Sequence, residues 1–172
     1  QNAIKGLERK FNKLSKIDFP ERKGSFICST QSATDLKNIP ENSVDYIFID
    51  PPFGWNLMYS ELNFNWESWL KVFTNNSEEA IVSKFQHKDN NDYANLMKES
   101  FINFFNILKP ERWITVEFHN SSAEIWNLIQ KSLVEAGFII AQVNVLDKKL
   151  GTINQDFLDN AVKNDLVINA YK

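Results

Sequence analysis

The feature that most constrains this chain is a run of apolar residues that ends in a carboxylate and two prolines. Tyr46-Ile47-Phe48-Ile49 is typical of a buried strand, and Asp50-Pro51-Pro52-Phe53 follows it directly. The prolines fix φ and lack N–H donors, so no continuing helix or sheet ladder engages the carbonyls of Asp50 and Pro51. We therefore predict a strand whose carboxyl end presents a carboxylate, carbonyl oxygens and an aromatic ring to a ligand. Such a set of groups can hold a planar amine.

Strands and helices alternate along the rest of the chain. Helices are predicted at 2–16, 33–38, 61–73 and 92–108, and a further helix is capped by Ser121-Ser122 and runs to Gly137. Strands are predicted at 25–30, 45–49, 113–118, 138–146 and 165–171. The last two strands are predicted to be an adjacent antiparallel pair. This order indicates an α/β sheet with helices on both faces.

Composition and cysteine count narrow the class of protein. The 172 residues, of which 43% are apolar and 13% aromatic, suit one domain with a packed core. No stretch approaches the roughly 20 apolar residues of a membrane span, and the amino terminus has no signal-peptide core. We therefore expect a cytoplasmic protein with no membrane partner. One cysteine and two histidines are too few for a disulfide or a zinc cluster within the chain, so no metal site is predicted.

Charge is distributed unevenly. Residues 1–24 hold seven Lys/Arg and three Asp/Glu, whereas the remainder holds twelve and nineteen. If the partner is nucleic acid, the basic tract or protein mass outside this chain must supply much of the attraction; alternatively, the lysines are the solvated face of a helix. Residues 1–24 are interpreted as an amphipathic helix and connection, and 25–172 as the main domain.

The stretch from Ser43 to Gly54 resembles the amino-methyltransferases, which methylate exocyclic amines of bases with S-adenosylmethionine. Further matching segments occur in the same order, and the resemblance covers residues 25–172. These matching segments are Leu108-Lys109-Pro110, Phe118-His119 and Ala136-Gly137-Phe138. The segment Tyr59-Ser60-Glu61-Leu62 is similar to a subgroup of large bacterial DNA methylases. The resemblance implies the catalytic lobe of a Rossmann-like methyltransferase sheet, mostly parallel with an antiparallel C-terminal strand.

In this family the tetrapeptide Asp50, Pro51, Pro52 and Phe53 would be catalytic. The Asp50 carboxylate would accept one N–H of the target amine and the Pro51 carbonyl the other, which aims the nitrogen lone pair at the methyl group. Phe53 would stack on a base flipped out of the duplex. The alternative is a structural turn whose Phe53 packs inward.

The resemblance also implies residues that contact the cofactor and the substrate. Those expected near the adenosine half of the cofactor are Gln31, Ser32 and Asp35, and those expected near the base or the flipped strand are Trp55, Asn56, Tyr59 and His119. Each group has a structural alternative. Ser32 and Asp35 could cap a helix, the loop aromatics could cover the core, and His119 could be a satisfied strand-end histidine.

One family feature is missing from the sequence, the glycine-rich cofactor loop. The five glycines, Gly6, Gly24, Gly54, Gly137 and Gly151, are all far apart. Such a loop lets the backbone approach the cofactor at a helix N-terminus. In family terms, 25–30 resembles the third strand and 45–49 the fourth, with the first two strands between them. We expect the remainder of a longer polypeptide, or a partner chain, to carry the loop and target recognition, either before residue 1 or, as in permuted members, after residue 172.

The leading hypothesis is a site-specific DNA methyltransferase, with adenine N6 favoured over cytosine N4 because Asp at the first motif position is more typical of adenine enzymes. DNA is thus the expected partner and S-adenosylmethionine the cofactor, although this chain alone is expected to bind it weakly or not at all. Two alternatives are an RNA base methyltransferase and a non-catalytic subunit that keeps the fold for nucleic-acid binding or assembly.

Overall fold

The chain forms two compact units, residues 1–30 and residues 31–172. The structure is a computed structural model that describes residues 3–17, 24–55, 57–119, 122–146 and 165–172. No helix within these ranges is long and apolar enough to cross a membrane.

The described residues of the first unit form one helix and a segment without regular structure. Helix α1 spans Ala3–Leu14, as its apolar spacing predicts, and Lys13 in its last turn suits the negative end of the helix dipole. The prediction of a strand at 25–30 is wrong, because residues 24–30 have no regular structure. Phe26 and Ile27 are 90% and 93% exposed. A strand needs a hydrogen-bonded neighbour, and this segment has none among the described residues.

The described residues of the second unit are built on a four-stranded sheet. Its strands are β1 (Val44–Ile49), β2 (Leu108–Phe118), β3 (Ile139–Leu146) and β4 (Asp165–Tyr171), in the order β1-β2-β4-β3. β1 is parallel to β2, whereas β4 lies antiparallel between β2 and β3. Three strands therefore run one way and the C-terminal strand runs the other, which confirms the predicted sheet and the predicted β3–β4 pair.

In the part of this unit that the structure describes, three helices accompany the sheet. They are α2 (Tyr59–Leu70), α3 (Asn90–Ile107) and α4 (Ala123–Glu135). Asp89 begins α3 with a capping box that also uses Asp92. Gly137 follows α4 with φ of 106°, a backbone conformation that favours glycine. The predicted helix at 33–38 is wrong: these residues form turns, since six residues before a proline are too few to sustain a helix without packing.

Only one face of the sheet is covered within the described part of this unit. Helices α3 and α4 pack on it, and the core between them includes Ile114, Val116, Ile168, Phe101, Ile129 and Leu133, all fully buried. On the other face Tyr46, Phe48 and Trp113 are 54%, 57% and 45% exposed. The expectation of helices on both faces is therefore wrong for the described residues. An apolar sequence pattern indicates that a face of the sheet is buried by other residues, but it does not indicate where in the protein those residues lie.

β1 is also an edge strand. Among the described residues it pairs with β2 alone, so the hydrogen-bonding groups along its other edge have no strand partner there. The ion pair of Asp45 with Lys109, at 2.8 Å between Oδ1 and Nζ, adds to the β1–β2 contact. The sheet is thus open beside the strand that ends in the tetrapeptide.

Candidate functional site

The tetrapeptide lies where predicted, at the carboxyl end of β1. Asp50 is exposed, Pro51 is buried, and Pro52 and Phe53 are half-buried. The first three residues line a pocket of about 370 Å³. That volume falls within the range of roughly 300–1,000 Å³ typical of small-molecule sites. The acid at the strand end therefore faces a hollow large enough for a ligand.

Both polar and apolar side chains form the walls of this pocket. The apolar wall consists of Ile49, Ala80, Leu96, Met97 and Phe104, and the polar side chains besides Asp50 are Ser32, Thr34, Glu78 and Ser100. The hydroxyls of Ser32 and Thr34 are 2.7 Å apart, and that of Thr34 donates to Glu78 Oε2 at 3.2 Å. The pocket thus combines two carboxylates with hydroxyl groups, a set suited to a ligand that carries N–H groups or positive charge.

Tyr93 on α3 holds the third residue of the tetrapeptide. Its phenol donates to the Pro52 carbonyl at 2.7 Å, and its side chain has no exposed surface. Burial raises the pKa of the Tyr93 phenol above its ordinary value, so the group remains a donor. No described residue donates a hydrogen bond to the Pro51 carbonyl. The Pro52 carbonyl is therefore bound by Tyr93, whereas the neighbouring Pro51 carbonyl can accept a hydrogen bond from a ligand.

The sequence placed Tyr93 only within the helix predicted at 92–108. A signal was nevertheless present, because a buried tyrosine requires a partner for its hydroxyl. The identity of that partner was not readable, since Tyr93 and Pro52 are 41 positions apart.

Phe53 packs partly against the end of β2. Its ring centroid lies 5.6 Å from that of Phe118 at an interplanar angle of 80°, and 5.8 Å from that of His119 at 61°. Both contacts are edge-to-face, the geometry that aromatic rings favour. The ring is therefore half anchored in the core and half accessible.

His119 follows the last residue of β2 and is paired with a buried carboxylate. Its Nδ1 lies 2.6 Å from Oδ1 of Asp165, the first residue of β4. The side chain of Asp165 is 3% exposed and that of His119 is 22% exposed. Antiparallel pairing of Phe118 with Leu166 brings the two side chains together across 46 positions. Asp165 was missed by the sequence analysis, because no local pattern marks it.

The three residues expected near the cofactor are not equivalent in the structure. Ser32 lines the same pocket as Asp50, whereas Gln31 and Asp35 are not part of its lining. Gln31 Oε1 accepts a hydrogen bond from Asn38 at 2.9 Å. Asp35 Oδ1 accepts one from the Lys37 backbone at 3.3 Å, which stabilises a turn rather than the start of a helix.

Of the other residues expected near the substrate, Trp55 lies in the loop after the tetrapeptide and Tyr59 is the first residue of α2. Trp55 and Tyr59 are 55% and 41% exposed. Trp55 borders a separate open groove with Lys84 and Lys88 rather than the tetrapeptide pocket. Asn56 lies outside the described residues.

A polar network connects the start of α2 to the segment before α3. Glu79 accepts hydrogen bonds from the Ser60 backbone and hydroxyl, at 3.0 and 2.7 Å, and from Gln86 at 2.7 Å. Burial by itself would raise the pKa of Glu79, but the hydrogen bonds from Gln86 and Ser60 outweigh it, and the pKa lies below its ordinary value. The carboxylate therefore stabilises the loop that borders the pocket. Within the described ranges, no three His, Cys, Asp or Glu side chains cluster as a metal site would require.

Comparison with known proteins establishes the fold. No protein family and no curated protein sequence matches the chain. Among solved structures, the cytosine-N4-specific PvuII DNA methyltransferase is 13% identical with a TM-score of 0.53, over 79% of this chain and 45% of that chain. TTHA0409 of Thermus thermophilus, assigned as a DNA modification methylase, is 14% identical with a TM-score of 0.49, over 82% and 50%. The chain thus spans about half the length of the proteins it is similar to, and over that length it has the methyltransferase fold.

Proposed function

We propose that this chain is the catalytic part of an S-adenosylmethionine-dependent DNA methyltransferase that acts on an exocyclic base amine, with adenine N6 as the favoured target. The observation that carries the proposal is the strand-end Asp50-Pro51-Pro52 segment lining a pocket of about 370 Å³ in a methyltransferase fold. An α/β sheet binds its ligand at the carboxyl ends of its strands, which is where this pocket lies.

The geometry supports activation of the amine by two acceptors. An exocyclic amine is a poor nucleophile, because its lone pair is conjugated into the ring. Asp50 accepts one N–H and the Pro51 carbonyl the other, so the nitrogen moves toward tetrahedral geometry with its lone pair facing the methyl donor. Tyr93 holds the Pro52 carbonyl and thereby fixes the orientation of the preceding peptide. The accessible part of Phe53 supports the flipped base.

The lining of the pocket also suits the cofactor. S-adenosylmethionine, when bound, supplies a methyl group activated by a sulfonium centre, and it carries positive charge on sulfur and on its amino group. Asp50 and Glu78 contribute two carboxylates to the pocket, and Ser32 contributes a hydroxyl. Opposite charges within a partly enclosed site attract more strongly than in bulk water.

The choice of adenine rests on the residue type at position 50, since Asp at this position is more typical of adenine enzymes. The PvuII enzyme acts on cytosine N4, but at 13% identity its specificity does not extend to this chain. Mass spectrometry of nucleosides from DNA and RNA treated with the complete protein distinguishes N6-methyladenine from N4-methylcytosine. It also reveals whether RNA is the substrate.

We further propose that the cofactor loop and the missing strands belong to protein outside these residues. The open edge of β1 and the exposed aromatic face at Tyr46, Phe48 and Trp113 support this, as does the 45% coverage of the PvuII chain. A parallel strand beside β1 would satisfy its unpaired backbone groups, and a helix would bury the face. The isolated chain is therefore expected to bind S-adenosylmethionine weakly, and calorimetry that finds micromolar affinity for it would contradict this part of the proposal.

Substitution of Asp50 tests the activity in the complete protein. Asp50→Ala and Asp50→Asn are expected to slow methyl transfer to DNA by roughly 100-fold or more, the range measured when one preorganised polar contact is removed from a reacting centre. Asp45→Ala is the matched control, because Asp45 is an exposed carboxylate of β1, the strand that Asp50 follows, and does not line the pocket. Wild-type rates in Asp50→Ala would favour a non-catalytic subunit, the alternative supported by the absent glycine-rich loop.

A further inference from the structure

His119 and Asp165 form a hydrogen-bonded pair beside Phe53, the last residue of the tetrapeptide. We propose that His119, oriented by Asp165, accepts the proton that the target amine loses when it is methylated. This inference rests on the proposed function, since it concerns the same site and the same reaction.

The hydrogen bond to Asp165 determines which nitrogen of His119 is available. Nδ1 lies 2.6 Å from the Asp165 carboxylate, and an ionised carboxylate can only accept a hydrogen bond. In the neutral ring Nδ1 therefore carries the hydrogen and Nε2 carries the lone pair. None of the described residues forms a hydrogen bond with Nε2. Asp165 thus leaves His119 in the tautomer that can take up a proton at Nε2.

The position of His119 places its ring at the same edge of the sheet as the tetrapeptide. β1 and β2 are parallel neighbours, and His119 follows β2 as Asp50 follows β1. The carboxyl ends of adjacent parallel strands meet at one edge. The imidazole ring lies 5.8 Å from the ring of Phe53, which supports the base, and 22% of its side chain is exposed. The ring of His119 is therefore partly accessible and lies beside Phe53.

The chemical step balances without a further reactant. The amine lone pair forms the new N–C bond, the bond between the methyl carbon and sulfur breaks, and its electron pair stays on sulfur. The nitrogen then carries a positive charge and loses one hydrogen as a proton to Nε2 of His119. The products are the methylated amine, the neutral thioether and an imidazolium that later returns its proton to water.

Asp165 is a positioning residue in this scheme. Its buried carboxylate fixes the orientation of the ring and compensates the charge of the imidazolium at 2.6 Å. A half-buried imidazolium without that partner would be costly, since an unpaired buried charge is strongly unfavourable. The pairing with His119 also explains why Asp165, an ionisable residue, is tolerated at the start of β4, where only 2% of it is exposed.

Single-turnover methyl transfer by the complete protein tests the inference. His119→Asn keeps an N–H near the place of Nδ1 but cannot take up a proton, and we expect it to slow transfer by roughly 100-fold, the lower end for general base catalysis. The lower end applies because a methylated nitrogen is a strong acid that can also lose its proton to water. His87→Asn is the control, because His87 is the other histidine, lies exposed in a loop, and has a positive φ that asparagine tolerates.

Chemical rescue separates proton transfer from a structural role. Added imidazole is expected to raise the methyl-transfer rate of His119→Ala at least tenfold. It should not raise the rate of Asp165→Asn, because that variant keeps the imidazole ring of His119. A His119→Asn rate within threefold of wild type, or a loss in His119→Ala that imidazole does not relieve, would overturn the inference. If the wild-type protein methylates nothing, the proposed function itself fails, and that outcome is distinct from either of these.

Discussion

The hydrogen bond between Tyr93 and the Pro52 carbonyl leads to a quantitative prediction about the site. Tyr93→Phe removes the phenol oxygen that donates at 2.7 Å from a fully buried side chain. Loss of one hydrogen bond costs about 1 kcal/mol, and an unsatisfied buried carbonyl raises this toward about 3 kcal/mol. Pro52 is half-buried, so water can replace part of the donor. We therefore expect the free energy of unfolding to fall by about 1–2 kcal/mol.

Urea unfolding of the protein measures this change. With a slope of about 2 kcal/mol per molar urea, the midpoint of Tyr93→Phe should fall by roughly 0.5–1 M. Tyr171→Phe removes the same atom from a half-buried tyrosine whose hydroxyl has no hydrogen bond with a described residue. Its midpoint should move by less than about 0.25 M, since the expected change in stability is within about 0.5 kcal/mol. Equal midpoints for the two variants would refute the assignment of Tyr93 as the support of the tetrapeptide.

Two further predictions concern stability. Gly137→Ala should lower the free energy of unfolding by about 1–2 kcal/mol. The φ of Gly137 is 106°, which strains any residue with a Cβ, and the added Cβ would lie 3.0 Å from the ring of Phe105. Gly24→Ala, which adds a Cβ with no atom within 4 Å, should differ little from wild type in the same urea titration. The lowered pKa of Glu79 means that its carboxylate stabilises the fold above its ordinary pKa of 4.5 and that this contribution is lost as pH falls through the lower folded-state value. Thermal stability should therefore fall less steeply in Glu79→Gln than in wild type between about pH 5 and pH 3. An equally steep fall would show that the hydrogen bonds from Ser60 and Gln86 do not stabilise the ionised carboxylate of Glu79.

The parts of the fold that the sequence predicted correctly are those with a strong local pattern. The apolar spacing of α1 and α3 marks helices, and the runs that form β1 and β2 mark strands, because helices and strands repeat with different periods. Helix α4 was predicted from the serines before it and the glycine after it. The segments at 25–30 and 33–38 were predicted wrongly. Both carry local preferences that are weak without partners: an apolar run becomes a strand only beside another strand, and a short helix forms only when packing supports it.

The sequence by itself determined which chemical groups follow β1. A carboxylate, two prolines and a phenylalanine after an apolar run specify a turn with an accessible acid, and the structure places that acid on a pocket. Only the tertiary structure decided what surrounds it. The contacts of Tyr93 with Pro52 and of His119 with Asp165 join residues 41 and 46 positions apart. Such contacts depend on helix packing and strand register, which are set by the packing of the sheet as a whole and leave no trace in a local stretch of sequence.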